Sequence, residues 1–260
     1  MNLFTAFILG IVEGITEFLP VSSTGHLILT AQFLRLSQSE FLKSFEIAIQ
    51  LGAILSVMVL YWKKIFVDFK IAKRLLAAFI PTAIIGFIFY KLIKKYLLGN
   101  SYVVIWSLFL GGIFLIIFEL LHRKEEETID ELSAISYKQS FIIGIFQSLA
   151  VIPGVSRAAA TIIGGLILGL KRKTIVEFSF LLAVPTMLAA TAWDLIKNAR
   201  GFTSGEFGFM AVGFFTSFLV AIIAVRFLLY FIRQHSFIVF GVYRILIAIL
   251  FWIFGFNILK

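Results

Sequence analysis

Long apolar blocks separated by short polar connections organise this chain. They run from Ser44 to Trp62, Leu75 to Leu92, Tyr102 to Leu121, Thr174 to Trp193, Phe207 to Val225 and Phe237 to Phe256. Each approaches the ~20 residues that an α-helix needs to cross the hydrocarbon core of a bilayer, so six spanning helices are predicted. A membrane β-barrel is excluded, because its strands alternate apolar and polar residues instead of forming continuous apolar blocks. Two further apolar regions, Asn2 to Arg35 and Gln139 to Leu170, are interrupted by Pro20 and by Pro153-Gly154, with polar residues clustered after each break. Proline removes a backbone donor and turns the residue before it away from helix. Each region therefore reads as two half-length helices around a re-entrant loop, which needs protein or water around it at membrane depth.

The two broken regions resemble each other at a shift of 134 residues. Gly10 then meets Gly144, Glu13 meets Gln147, Val21 meets Val155, Ser22 meets Ser156 and Leu27 meets Thr161, while Phe45 and Phe178 pair at a shift of 133. The fold class expected is an all-α polytopic membrane protein of two inverted-topology repeats, each a re-entrant helix hairpin plus three transmembrane helices. Repeat one covers residues 1–121, a polar linker 122–138 and repeat two 139–260, together one integral membrane domain. An odd number of spans per repeat inverts the second copy and places a site at the midplane between them.

Composition agrees with lipid as the main solvent. The chain is 61% hydrophobic and only 14% charged, with a mean hydropathy of +1.04, unlike a soluble domain. The net charge of +9 does not point to nucleic acid, because Lys and Arg sit in connections and not on one face. With the N-terminus outside, the loops Lys63–Arg74, Arg123–Lys138, Lys171–Lys173 and Arg226–Arg233 lie in the cytoplasm and carry 13 Lys or Arg, against 8 on the other side, namely Arg35, Lys43, Lys91, Lys94, Lys95, Lys197, Arg200 and Lys260. That bias follows the positive-inside rule. The absence of cysteine excludes disulfides, thiolate metal sites and cysteine nucleophiles. Met1 to Leu19 lacks a basic leader and carries two glutamates, so it is expected to stay in the mature protein.

Ionisable groups inside apolar helices are costly and mark function by default. The richest cluster reads EGITEFLPVSSTGH, from Glu13 to His26. Glu13 and Glu17 stand four apart on one helical face, where their charges repel unless a cation or a shared proton lies between them. Paired carboxylates, completed by water and substrate oxygens, suit magnesium or calcium. Ser22, Ser23 and Thr24 offer hydroxyl donors and a nucleophile, and His26 a proton relay or an attacking nitrogen. In the second cluster, Pro153 to Thr161, a Pro-Gly turn opens a small-residue helix whose first N–H groups favour an anion. Ser156 and Thr161 add hydroxyls there, and Arg157 a planar fork matched to phosphate oxygens. Glu46 and Gln50, also four apart, are candidates for the same cavity wall.

These two clusters, with FEIAIQLG from Phe45 to Gly52 and the GGLILGL that follows the second motif, resemble the undecaprenyl-diphosphate phosphatase family of integral membrane proteins associated with bacitracin resistance. The resemblance covers nearly the whole chain. It implies metal-dependent hydrolysis of undecaprenyl diphosphate to the monophosphate in the bacterial cytoplasmic membrane, with the site facing outward, recycling the carrier for cell-wall synthesis. Carried over by position, Glu13 and Glu17 become metal-linked acids, Ser22, Ser23 and His26 catalytic-loop residues, and Arg157 the phosphate clamp. The family's Ser-Arg-Ser-Gly continuation is replaced by Ala158 and Ala159, which removes a hydroxyl. A polyprenyl diphosphate lipid and the bilayer are the expected partners; the nucleophile (Ser23, His26 or water) and a homodimer stay open. The rival expectation is a secondary transporter or lipid translocase, in which Glu13, Glu17 and His26 would serve proton coupling.

Overall fold

The computed structural model describes residues 1–37, 39–97, 100–122, 128–198 and 204–255. Arg123 to Glu127 of the polar linker, Arg200 and Lys260 lie outside the described residues, as do the side chains of Lys91, Lys94, Lys95 and Lys197. The described chain is all helical: α1 (Leu3–Thr16), α2 (Ser23–Phe33), α3 (Glu40–Leu60), α4 (Trp62–Phe66), α5 (Phe69–Tyr96), α6 (Ser101–Leu121), α7 (Tyr137–Ser148), α8 (Arg157–Ile167), α9 (Arg172–Asn198), α10 (Ser204–Phe231) and α11 (Ile238–Gly255). Among these residues the extended pairing is a single bridge between Ile129 and Leu170.

All six predicted spans fall on helices among the described residues. By length and apolar content four of them can cross a membrane, at Glu40–Leu60, Phe69–Phe89, Ser101–Leu121 and Gly205–Phe231, while α11 contributes a shorter apolar stretch, Ile238–Ile253. α9 is not among the four; it buries Thr174, Glu177, Ser179 and Thr191 and serves as an interior wall. The outward faces are apolar, with Phe69, Phe87 and Leu121 each at least 75% exposed, which suits lipid and not water. The molecule is a multi-pass membrane protein.

Both interrupted regions are two helices joined by a loop, as the prolines predict. The other two prolines, Pro81 in α5 and Pro185 in α9, sit inside helices. What separates the pairs is the residues that follow. After Pro20 and Pro153 come Ser22 and Ser156, and each serine caps a new helix by accepting a backbone N–H, from Gly25 and Ala159 respectively. After Pro81 and Pro185 comes a threonine, and the helix continues; Thr82 donates across to Gly144 O of α7 and Thr186 donates to Leu182 O of its own helix. Capping boxes also begin α1 at Asn2 and α7 at Ser136.

Packing brings the broken helices against long ones. α1 lies on α10, which lies on α3, and α3 contacts α9; α7 lies on α5, which also contacts α9; α6 pairs with α11. The α5–α7 approach is close because position 144 is glycine: a Cβ there would sit 2.0 Å from Ala78 O. At one end of the bundle Glu119 closes α6 by accepting from Arg172 at the start of α9 and from Phe237 N before α11.

Candidate active site

The first loop begins where α1 stops. Glu17 is its C-terminal cap, with its N–H on Glu13 O at 2.9 Å. The chain then passes Pro20 and reaches Ser22 at φ 73°, ψ 92°, a left-handed backbone that side chains rarely adopt, costing about 1–3 kcal/mol. Local bonds hold it there. The Ser22 hydroxyl accepts from Gly25 N (3.4 Å), and its carbonyl accepts from His26 N (3.1 Å) and His26 Nδ1 (2.8 Å). The strain places Ser23 as the first residue of α2.

The second loop is built alike. A 3-10 turn over Leu149–Val151 leads to Pro153 and to Gly154 at φ 89°. A Cβ at 154 would meet Val104 O at 2.7 Å, so conformation and space both require glycine. Ser156 caps α8 and Arg157 is its first residue.

The two loops meet through charge. Arg157 Nη2 donates to Glu17 Oε1 at 3.0 Å and to Glu17 O at 3.4 Å, and Nη1 donates to Ser179 O of α9 at 2.7 Å. Ser23 donates to the other oxygen of the same carboxylate, Oγ to Oε2, at 2.5 Å. Glu17 therefore stands between a hydroxyl and a guanidinium, and Arg157 Nε is left without a partner. Beside them opens a cavity of about 200 Å³ lined by Glu17, Ser22, Ser23, Thr24, Ser156 and Arg157. A cavity bounded by one carboxylate, one guanidinium and several hydroxyls is suited to a phosphoryl group.

Four residues singled out in the sequence, His26, Thr161, Glu13 and Glu46, do not line it. His26 is 8% exposed and satisfied at both nitrogens. Its Nδ1 faces a carbonyl, so that nitrogen carries the proton, and Nε2 accepts from the Tyr243 hydroxyl at 2.9 Å. Thr161 bonds Ser179 Oγ at 2.6 Å and so orients the residue that orients Arg157. Glu13 is fully buried, and neither carboxylate oxygen has a partner. Of the further pair, Gln50 lines the cavity, and Glu46 Oε1 is buried without a partner.

An orphaned buried carboxylate is the observation on which a cation can be tested. Glu13 supplies two bare oxygens and Glu46 a third, all hard donors of the kind magnesium and calcium take. Both Glu17 oxygens are engaged by protein donors and retain lone pairs for sharing. Among the described residues no three His, Asp or Glu side chains converge as a ready-made cage, so water and substrate oxygens would complete the shell. The donor set fits a hydrated divalent ion held with its substrate.

Part of the cavity lining was not read from the sequence. Gln147 Nε2 donates to Thr82 Oγ1 (2.8 Å) and Thr186 Oγ1 (3.1 Å), and all three residues line the cavity. One signal was available, since Gln147 aligns with Glu13 in the internal repeat. Ser179 and Tyr243 carried no signal, because each acts through contacts distant in sequence: Ser179 lies 18 and 22 positions from Thr161 and Arg157, and Tyr243 lies 217 from His26.

Comparison with known proteins places this geometry in context. The family model described as Bacitracin resistance protein BacA matches residues 6–250. The chain is 53% identical over 251 residues to a protein named undecaprenyl-diphosphatase from Aquifex aeolicus, covering 96% of this chain and 98% of that one. Proteins of the same name from Sulfurihydrogenibium sp. and Wolinella succinogenes are 52% and 49% identical, covering 97% and 96% of this chain and 99% and 97% of theirs.

Proposed function

This chain belongs to the bacitracin resistance protein BacA family, and from that membership we infer that it is an undecaprenyl-diphosphatase, releasing phosphate from undecaprenyl diphosphate and so returning the monophosphate carrier to bacterial cell-wall synthesis. The observation that carries a mechanism is the Ser23–Glu17–Arg157 chain on the cavity wall.

In the proposed reaction the diphosphate enters the cavity while the polyprenyl tail stays among apolar helices. Arg157, whose Nε–H is uncommitted, and the start of α8 neutralise the phosphoryl oxygens. Ser22, Thr24 and Ser156 supply hydroxyl donors, and Thr161 holds Ser179 against Arg157. Ser23 Oγ attacks the terminal phosphorus as its proton passes to Glu17 Oε2, already 2.5 Å away. The bond from that phosphorus to the bridging oxygen breaks, and the lipid monophosphate leaves with the oxygen. Glu17 passes that proton to the departing monophosphate and then takes one from water, whose oxygen attacks the phosphoserine phosphorus; the bond from phosphorus to Ser23 Oγ breaks, Oγ recovers the proton from Glu17, and phosphate leaves. His26 holds the loop through Ser22 O and Tyr243 instead of attacking, since both its nitrogens are occupied. A magnesium or calcium ion held by Glu13 and Glu17, with Glu46 beside them, would supply Lewis-acid polarisation of the phosphoryl oxygens.

The proposed frame for this site is two inverted repeats of residues 1–121 and 139–260, with both broken helices re-entrant and the cavity facing outward. Reciprocal packing supports it: α1 of the first half lies on α10 of the second, and α7 of the second on α5 of the first. The paired caps Ser22 and Ser156, at the 134-residue shift, support it too.

The test is phosphate release from undecaprenyl diphosphate by purified protein in detergent, where a transporter has no compartments to serve. Wild type is expected to turn over and Glu17→Ala and Arg157→Ala to be inactive; an inert wild type would refute the assignment. Mass spectrometry of quenched turnover should find phosphate on Ser23, and phosphate on His26 would reverse the assignment of the nucleophile. Excess chelator should stop turnover and magnesium or calcium restore it, whereas unchanged activity would remove the ion.

A further inference from the structure

Arg244 of α11 is 2% exposed and is the largest fully buried side chain among the described residues. Its guanidinium donates to four carbonyls: Nε to Leu108 O (3.4 Å), Nη1 to Pro20 O (3.3 Å), and Nη2 to Ser107 O (3.0 Å) and Gly154 O (3.2 Å). Two of these acceptors belong to α6. The other two are the loop carbonyls just ahead of the caps Ser22 and Ser156. Among the described residues no carboxylate forms an ion pair with it. A cation withdrawn from water without a counter-charge is costly, and in a membrane segment it marks a working residue. α6 is notched to admit it, since a Cβ on Gly111 would lie 2.2 Å from Arg244 Nη2.

The placement answers a problem set by the chemistry. Among the described residues, the direct hydrogen bonds between the two loops run from Arg157 to Glu17. Both of those groups belong to the reacting machinery. When a phosphoryl group takes donors from Arg157, that tie weakens at the moment when alignment matters most. The Arg244 bonds end on backbone carbonyls that take no part in the reaction and persist throughout.

We propose that Arg244 is a positioning residue that locks the two loops in register, so that Ser23 and Glu17 from one and Arg157 from the other address the same phosphoryl group. The inference rests on the phosphatase reading for its kinetic consequence and on geometry alone for its structural one. Misplacing reacting groups by about 1 Å costs on the order of 100-fold in rate.

The experiment uses Arg244→Gln, Gly111→Ala and the double variant in the full chain in detergent. Each single variant is expected to lower kcat on the order of 100-fold with KM within about threefold, because uniform binding is untouched. The double variant should be no slower than Arg244→Gln, since the alanine methyl then has no guanidinium to displace. Wild-type kcat in Gly111→Ala, additive losses, or a change confined to KM would each overturn the lock. Should Arg244→Gln fail to fold, Gly111→Ala decides alone. A second readout is independent of activity. The chain has no native cysteine, so spin labels at Ile15→Cys and Leu149→Cys, both lipid-exposed and outside the site, report the separation between the loops. A narrow distance distribution that broadens or shifts in Gly111→Ala is expected, and one that stays unchanged would refute the lock. An inert wild type with a shifted distribution would sink the phosphatase reading and leave the lock standing.

Discussion

At the scale of single residues, Glu17 does two things at once. It neutralises Arg157, and it accepts from Ser23. Replacing it with glutamine keeps the shape and removes the charge, so turnover should fall by about 10²–10⁴, the usual worth of a positioned acid or base. The same change leaves Arg157 buried without its counter-charge, and breaking a buried pair costs roughly 3–5 kcal/mol; the melting temperature in detergent should drop along with activity. Gly154→Ala separates backbone from chemistry. It places a side chain at φ 89° and 2.7 Å from Val104 O, with strain of about 1–3 kcal/mol, and should lower the melting temperature without removing a catalytic group.

At the scale of elements, stability and function part company. Glu119 accepts from Arg172 and from Phe237 N, joining the ends of α6, α9 and α11 at a point where no predicted site residue lies. Glu119→Gln should therefore lower thermal stability by about 3–5 kcal/mol while Michaelis parameters of the folded protein stay near wild type, which calorimetry and a phosphate assay on one preparation check together. Gly144→Val has a similar logic. Forcing a side chain against Ala78 O would push α7 from α5, at an overpacking cost of roughly 1–3 kcal/mol. Because Gln147 lies one turn along α7 and bonds Thr82 of α5, some activity should be lost as well.

At the scale of the whole molecule, the positive-inside bias sets the proposed orientation, and the cysteine-free chain makes it easy to test. Single cysteines at the exposed positions Lys43 and Lys70 are expected to react with an impermeant thiol reagent from opposite sides of the membrane, Lys43→Cys from outside and Lys70→Cys only after permeabilisation. Labelling of both from one side would end the proposed topology.

Much of this protein was legible because the bilayer makes local sequence decisive. Each span must satisfy its own backbone, so a run of apolar residues fixes a helix without help from the rest of the fold. A proline with a serine two or three residues on fixes a break in the same local way, since the serine can cap the next helix; Pro81 and Pro185, which no capping serine follows, stay inside theirs. Glu13, Glu17, Ser23 and Arg157 announced themselves as polar groups where hydrocarbon penalises them. Hydropathy and spacing are silent on distances between segments far apart in sequence. Only the packed bundle decided that Arg157 meets Glu17 across 140 positions, that His26 is held by Tyr243 and kept off the cavity wall, and that Arg244 joins both loops to α6. Those pairings follow from which helix faces approach closely enough to exchange hydrogen bonds, and that is a property of the assembled structure.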